Sequence, residues 1–147
     1  MAKLTETGTT HLQVGALPLR RDAEQKTSVL LITSRTTRRW TIPKGWPMKG
    51  MKDHKAAERE ALEEAGVVGR IGKEPMGTYE YWKRGDAAFY LCKVTVYPLD
   101  VRQQLTKWRE RDQRDTKWLS VEEATVLIEE PGLRGIIERL GTVPPTT

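Results

Sequence analysis

Apolar and polar positions change their period several times along the chain, and each change marks an expected element. From His11 to Leu19, Leu12, Val14 and Ala16 alternate with Gln13 and Gly15, the two-residue period of a half-buried strand. Ser28 to Thr33 is a short, β-branched-rich run that reads as a buried strand, with the polar stretch Arg21 to Lys26 as the hairpin connection. Thr36 to Arg39 reads as a turn before the extended segment Trp40, Thr41, Ile42. Pro43, Gly45, Pro47 and Gly50 then punctuate a loop that no helix would survive. The spacing predicts a helix with Asp53 as N-cap, running to about Ala65 and stopped by Gly66. Its stripe Ala57, Ala61, Ala65, flanked by Leu62, suits close packing on a sheet. Strands are expected at Gly77 to Trp82 and Ala87 to Tyr97, joined by a turn over Lys83 to Asp86, and again at Thr116 to Leu119. Ser120 and Glu123 form a capping box that opens a second helix, and Leu133 to Leu140 is a third helical segment. Strands with interspersed helices predict an α+β fold, layered as an α/β/α sandwich.

Composition narrows the class. The 147 residues, 37% hydrophobic and 31% charged, suit one domain with one core. That domain is expected over 11–140, between flexible ends at 1–10 and 141–147. The single cysteine, Cys92, excludes an internal disulfide and a cysteine zinc cluster and fits a reducing, cytoplasmic setting. The longest apolar runs, such as Ala87 to Cys92, are far short of a membrane helix, and Met1 to Thr10 lacks the apolar stretch of a signal peptide. A soluble chain without a membrane partner is expected. Its 25 Lys and Arg against 20 Asp and Glu give a net charge of +5, which suggests polyanionic partners. The five tryptophans offer stacking surfaces without choosing between nucleic acid and a phosphorylated metabolite.

The densest chemistry lies in the predicted helix. Glu60, Glu63 and Glu64 stand at i, i+3 and i+4, so their carboxylates share one face. Like charges at these spacings each cost about 0.2–0.5 kcal/mol, and acids in a helix's last turns oppose its macrodipole. A divalent cation would reverse both penalties, because clustered oxygen ligands are what Mg²⁺, Mn²⁺ or Ca²⁺ require. The plainer alternative is a solvated acidic surface with Arg59 paired to Glu63. The loop Pro43 to Gly50 and its surroundings, with Lys44, Lys49 and Lys52, favour the cation: a basic, glycine-bearing loop entering a carboxylate helix can hold a metal and a phosphate chain together.

Gly45 to Val67 resembles the Nudix box, G-x5-E-x7-R-E-U-x-E-E-x-G-U, where U is a bulky aliphatic. Gly45, Arg59, Glu60, Glu63, Glu64, Gly66 and Val67 fall in register. Met51 replaces the first glutamate and the small Ala61 fills the first U. The family's glutamate supports the loop and pairs with the arginine, so Met51 calls the support of Arg59 into question; Glu58 and Asp53 are candidate substitutes. The resemblance extends to Arg39–Gly45 before the box and to Trp118-Leu119-Ser120 with Glu122-Glu123-Ala124 after it, about residues 11–140 in all. Within the family, Arg39-Trp40, the Glu64-Ala65-Gly66-Val67 ending and the basic turn before Phe89-Tyr90-Leu91 resemble diphosphoinositol and diadenosine polyphosphate phosphohydrolases.

The resemblance implies a Nudix-type sandwich with a mixed sheet and a pyrophosphohydrolase using Mg²⁺ or Mn²⁺. It implies Glu60, Glu64 and Glu63 as metal-site carboxylates, with the Lys44 backbone carbonyl as a further ligand. Glu63 is the candidate base beside Glu64 and Arg59; in some relatives a later loop supplies it, for which Glu110, Asp112 and Asp115 are available. Arg20, Arg35, Arg38, Arg39, Lys44, Lys83 and Arg84 are candidate phosphate contacts, with Gly45 and Trp46 at the substrate. His11 and His54 are isolated and make poor ligands. The expected substrate is a phosphorylated small molecule, a diadenosine or diphosphoinositol polyphosphate; alternatives are a nucleoside triphosphate, an RNA 5′ end as the sole nucleic-acid role, or a binding module without catalysis.

Overall fold

The computed structural model describes residues 10–142. Eight strands, β1 (His11–Arg21), β2 (Thr27–Thr33), β3 (Trp40–Thr41), β4 (Lys44–Gly45), β5 (Val67–Ile71), β6 (Gly77–Arg84), β7 (Phe89–Gln104) and β8 (Thr116–Ser120), form one sheet. Among the described residues three helices, α1 (Asp53–Ala65), α2 (Val121–Leu127) and α3 (Pro131–Thr142), accompany a 3₁₀ turn at Arg111–Gln113.

The sheet is mixed: β1 runs parallel to β7 from His11↔Cys92 to Leu19↔Asp100, and the other pairings are antiparallel. β7 joins β6 with its first half and β5 with its second. β8 covers one side of β2, whose other side is shared by β1 and β3. The unbroken apolar run Val29 to Ile32 follows from burial on both faces. Val29 and Leu31 pack with Leu17, Val94 and Val96 beneath α2 and α3, through Ala124, Leu133 and Ile137. Leu30 and Ile32 turn the other way, with Val14, Ala16 and Leu99, onto Ala56, Ala57, Ala61 and Ala65 of α1. The expected α/β/α layering is the observed one, and the alanine stripe lets α1 lie close against the sheet.

The Ser120–Glu123 capping box forms, with both reciprocal bonds at 3.0 Å. Gly66 ends α1 at φ 68°, a left-handed turn in which glycine carries no Cβ penalty. Asp53 is not the N-cap: the first helical bond runs from Ala56 N–H to the Lys52 carbonyl at 2.9 Å, so Lys52 caps without a side-chain bond. Asp53 falls inside the first turn, where its charge favours the helix dipole. α3 continues through Gly141 and Thr142, the first residues of the expected flexible C-terminal end; residues 1–9 and 143–147 of the expected flexible ends lie outside the described residues.

Strands β4 and β5 and the extension of β7 to Gln104 were not anticipated. β4 is two residues long and exists through pairing with β1. β5 carries Gly69 and a register shift between Val68 and Gly69, which break the alternation a strand would otherwise show.

Candidate active site

Two segments distant in sequence converge on the last turns of α1. β4 enters first, held against β1 by Val14↔Gly45, and the Lys44 amide donates to Glu64 Oε1 at 3.3 Å. Gly45 passes so close to the Glu60 carboxylate that a Cβ would collide with it, which explains the glycine without any appeal to backbone angle. The second segment, residues 105–115, is laced to the last turn of α1. Leu105 N–H donates to the Gly66 carbonyl at 2.8 Å and Glu110 N–H to the Glu63 carbonyl at 3.0 Å. The Gln104 side-chain amide covers the Ala65 and Gly66 carbonyls at 3.1 and 3.2 Å. Helix-end acceptors that would otherwise need water thereby fix the loop's path.

The result is a cleft of about 320 Å³ with Glu60, Glu64 and Glu110 on its walls beside Arg35, Lys44, Lys83 and Arg114. The Glu60 and Glu64 carboxylates are close enough to perturb one another. Burial pushes the Glu64 carboxyl up to about 8 against the pull of Arg114, and the adjoining Glu60 adds to the rise. Glu60 is raised as well, first by burial, while its interaction with Glu64 works against the rise. The pair therefore favours holding one proton between two carboxylates. Lys44 is lowered to about 8 by burial, with Glu64 opposing. Its Nζ lies 3.3 Å from Thr41 Oγ1 and 5.0 Å from the Tyr81 ring centroid, and Tyr81 in turn donates to Gln13 Oε1 at 2.7 Å.

Of the expected site residues, Glu60, Glu64, Lys44, Gly45, Arg35, Lys83 and Trp46 come together here, Trp46 48% exposed at the rim. Arg39 and Arg84 line a smaller adjoining hollow, Arg39 3.6 Å from Glu129. Glu63 does not line the cleft. Its Oε2 turns toward Arg59 and Arg109, at 4.0 and 3.8 Å, so the acid brought inward is Glu110. Asp115 and Asp112 stay outside, Asp115 binding Arg38 at 3.0 Å and Asp112 lying exposed in the 3₁₀ turn. Arg38 is thus engaged away from the cleft, as is Arg20, which stacks over Trp118 at 4.0 Å. Arg59 lines a separate hollow with Met51; Glu58 binds Lys55 at 3.3 Å and neither it nor Asp53 pairs with Arg59, which reaches Glu63 instead.

Arg114, Gln13 and Tyr81 also line the cleft, although no motif in the sequence marks them. Arg114 lies four residues after Glu110 in a run whose charge density reads as solvated surface, whereas its side chain is 9% exposed and bound to Glu110 and Glu64.

Among the described residues no three His, Cys, Asp or Glu side chains are grouped closely enough to enclose a metal ion. The donor chemistry nevertheless fits a hard divalent cation: the carboxylates of Glu60, Glu64 and Glu110 line one cleft together with Lys44 and Gly45, whose backbone offers further oxygens.

A family profile described as the NUDIX domain matches residues 9–140. The chain belongs to the Nudix family. It is 35% identical over 127 residues to Nudix hydrolase 13, mitochondrial, of Arabidopsis thaliana, an alignment covering 80% of this chain and 61% of the relative. It is 32% identical over 123 residues to diphosphoinositol polyphosphate phosphohydrolase 2 of Rattus norvegicus, covering 80% and 65%. The chain thus spans about three fifths of the length of these curated relatives. Among solved structures, the Ap4A hydrolase of C. elegans in a binary complex superposes with a TM-score of 0.67 at 20% identity, covering 90% of this chain and 96% of that one. The NUDIX domain of Shewanella oneidensis NrtR, crystallised with ADP ribose, gives 0.67 at 18% identity, covering 92% and 90%. These likenesses bear out the Nudix fold. The box residues of this Nudix domain are therefore the ones that α1 and β4 bring into contact.

Proposed function

We propose that this Nudix domain hydrolyses phosphoric anhydride bonds in a divalent-cation-dependent reaction, on a polyphosphorylated small molecule of the diadenosine or diphosphoinositol polyphosphate kind. The observation that carries it is the convergence of Glu60, Glu64 and Glu110 in a cleft walled by Arg35, Lys44 and Lys83. The named relatives support the substrate class without fixing it.

Glu60 and Glu64, with the Lys44 carbonyl, would hold Mg²⁺ or Mn²⁺. Such a cation neutralises phosphate charge and lowers the pKa of the attacking water. Water forms a bond to phosphorus as the bridging oxygen leaves, and its proton passes to a carboxylate within reach. Glu110 is the candidate for that role, because it lines the cleft and Glu63 does not. Arg35 and Lys83 neutralise the outlying phosphates, and Trp46 offers a ring face at the rim.

A hydrolysis panel tests this: diadenosine polyphosphates, diphosphoinositols, nucleoside triphosphates, ADP-ribose and triphosphorylated RNA, each with Mg²⁺, Mn²⁺ or EDTA, read by product identity. Glu64→Gln and Glu60→Gln should each lower turnover by about 100-fold or more with the fold retained. Glu110→Gln should cost more than Glu63→Gln; the reverse order would return the base to Glu63. Turnover in EDTA equal to that in Mg²⁺ would sink the cation-dependent mechanism.

A further inference from the structure

We infer that Arg114 is a positioning residue whose guanidinium draws Glu64 and Glu110 toward one another and competes with the divalent cation for their negative charge. This rests on the cation-dependent reading above.

The guanidinium is engaged in three directions. Its Nε and one Nη both lie 2.9 Å from Glu110 Oε1. That same Nη is 3.6 Å from Glu64 Oε2, and the other donates to the Thr33 carbonyl at 3.1 Å. Thr33 belongs to β2, Glu64 to α1 and Glu110 to the connecting loop, so one side chain ties together the three elements that make the wall. The backbone beside it is pinned to the same residue: Asp115 N–H donates to Thr33 Oγ1 at 2.9 Å, and Thr33 N–H donates to the Asp115 carbonyl at 3.0 Å. Arg114 is therefore aimed inward from both ends of its anchorage.

Its charge is permanent, since a guanidinium does not deprotonate in proteins. At 9% exposure it is poorly screened, so it opposes a dication at the same carboxylates far more than a surface arginine would. Arg35 supplies the contrast: it approaches Glu110 only at 4.0 Å and is 55% exposed. The arrangement sets pre-organised carboxylates against cation affinity. Lysine would keep the charge but lose the fork that spans Glu110, Glu64 and the Thr33 carbonyl.

The experiment measures Mn²⁺ binding to the full chain without substrate, counting free Mn²⁺ by electron paramagnetic resonance. Arg114→Met should bind Mn²⁺ about tenfold or more tightly than wild type, whereas Arg114→Lys and Arg35→Met should stay within about threefold. In turnover assays Arg114→Lys should lose about tenfold in kcat with its Mn²⁺ activation constant unchanged, the mark of lost positioning rather than lost cation binding. If Arg114 merely braces the fold, Arg114→Met will show a lower melting temperature and an unchanged or weaker Mn²⁺ affinity, and the inference is overturned. Should Arg114→Met not fold in EDTA, excess Mn²⁺ is expected to restore a cooperative transition, and its failure to do so counts equally against the inference. A wild type that binds no Mn²⁺ overturns the cation-dependent reading as well; a wild type that binds it, with Arg114→Met no tighter, overturns only the role of Arg114.

Discussion

Glu64 is a carboxylate held 8% exposed, between a guanidinium at 3.6 Å and a second carboxylate, and its stability contribution depends on its proton. Because its pKa is raised from 4.5 to about 8, the folded chain binds more protons than the unfolded chain across that window. In EDTA its contribution to stability therefore falls as pH rises from about 4.5 to about 8. Lys44 acts in the opposite sense over a higher range: lowered from 10.5 to about 8, it binds fewer protons when folded, so its contribution rises with pH across that interval. Urea unfolding in EDTA from pH 5 to pH 8 should show declining stability that Glu64→Gln flattens. A Mg²⁺-induced stabilisation should be larger at pH 8 than at pH 6, since proton and cation compete for the same oxygens. An identical pH profile for wild type and Glu64→Gln would show that Glu64 ionises as an ordinary carboxylate.

At the scale of elements, the working surface is made where α1 ends and the loop 105–115 begins. Gly66 serves both: its φ of 68° turns the chain out of the helix, and the Trp108 ring covers the place a Cβ would occupy. Gly66→Ala should therefore cost about 2–4 kcal/mol, more than a left-handed alanine alone, because the tryptophan must also move. Calorimetry measures that loss. A loosened 105–115 loop should also lower kcat, as Glu110 hangs on the Glu63 carbonyl. The same junction divides what the sequence discloses from what it hides. α1, Gly66 and the Glu60–Glu64 pair are legible because helical periodicity and one contiguous box specify them locally. Glu110 was visible only as one of three later-loop acids, and Arg114 not at all, because what selects them is pairing between residues far apart in sequence, Glu110 with the Glu63 carbonyl and Arg114 with Glu64 and with Thr33 81 residues away. The orientation of Glu63 was hidden for a related reason: Arg109, which helps turn it outward, comes from that same distant loop. Asp53 misleads by a single position, since whether an acid caps a helix or sits in its first turn is decided by which carbonyl accepts the first bond.

Across the whole molecule, a net charge of +5 is the sum of an acidic wall and basic surroundings, and the division has a kinetic consequence. Arg35 is partly spent on Glu110 and Gln113, and Arg39 on Glu129, so the cations of the cleft are not equivalent. Lys83 lines both the main cleft and the adjoining hollow, near the exposed end of β6. On the proposed reading it would meet the far phosphates of a long chain rather than the reacting one. Lys83→Gln should raise KM about tenfold for a substrate with many phosphates and change kcat little, the pattern of lost uniform binding. For a nucleoside diphosphate conjugate with only two phosphates the effect should shrink to about twofold. Charge attraction of this kind is screened over about 10 Å at 0.1 M salt, so kcat/KM for the long polyphosphate should fall steeply with added KCl, and less steeply in Lys83→Gln. Equal salt slopes for the two proteins would place the phosphate-recognising charge elsewhere, with Arg84 and Arg39 in the adjoining hollow the next to substitute.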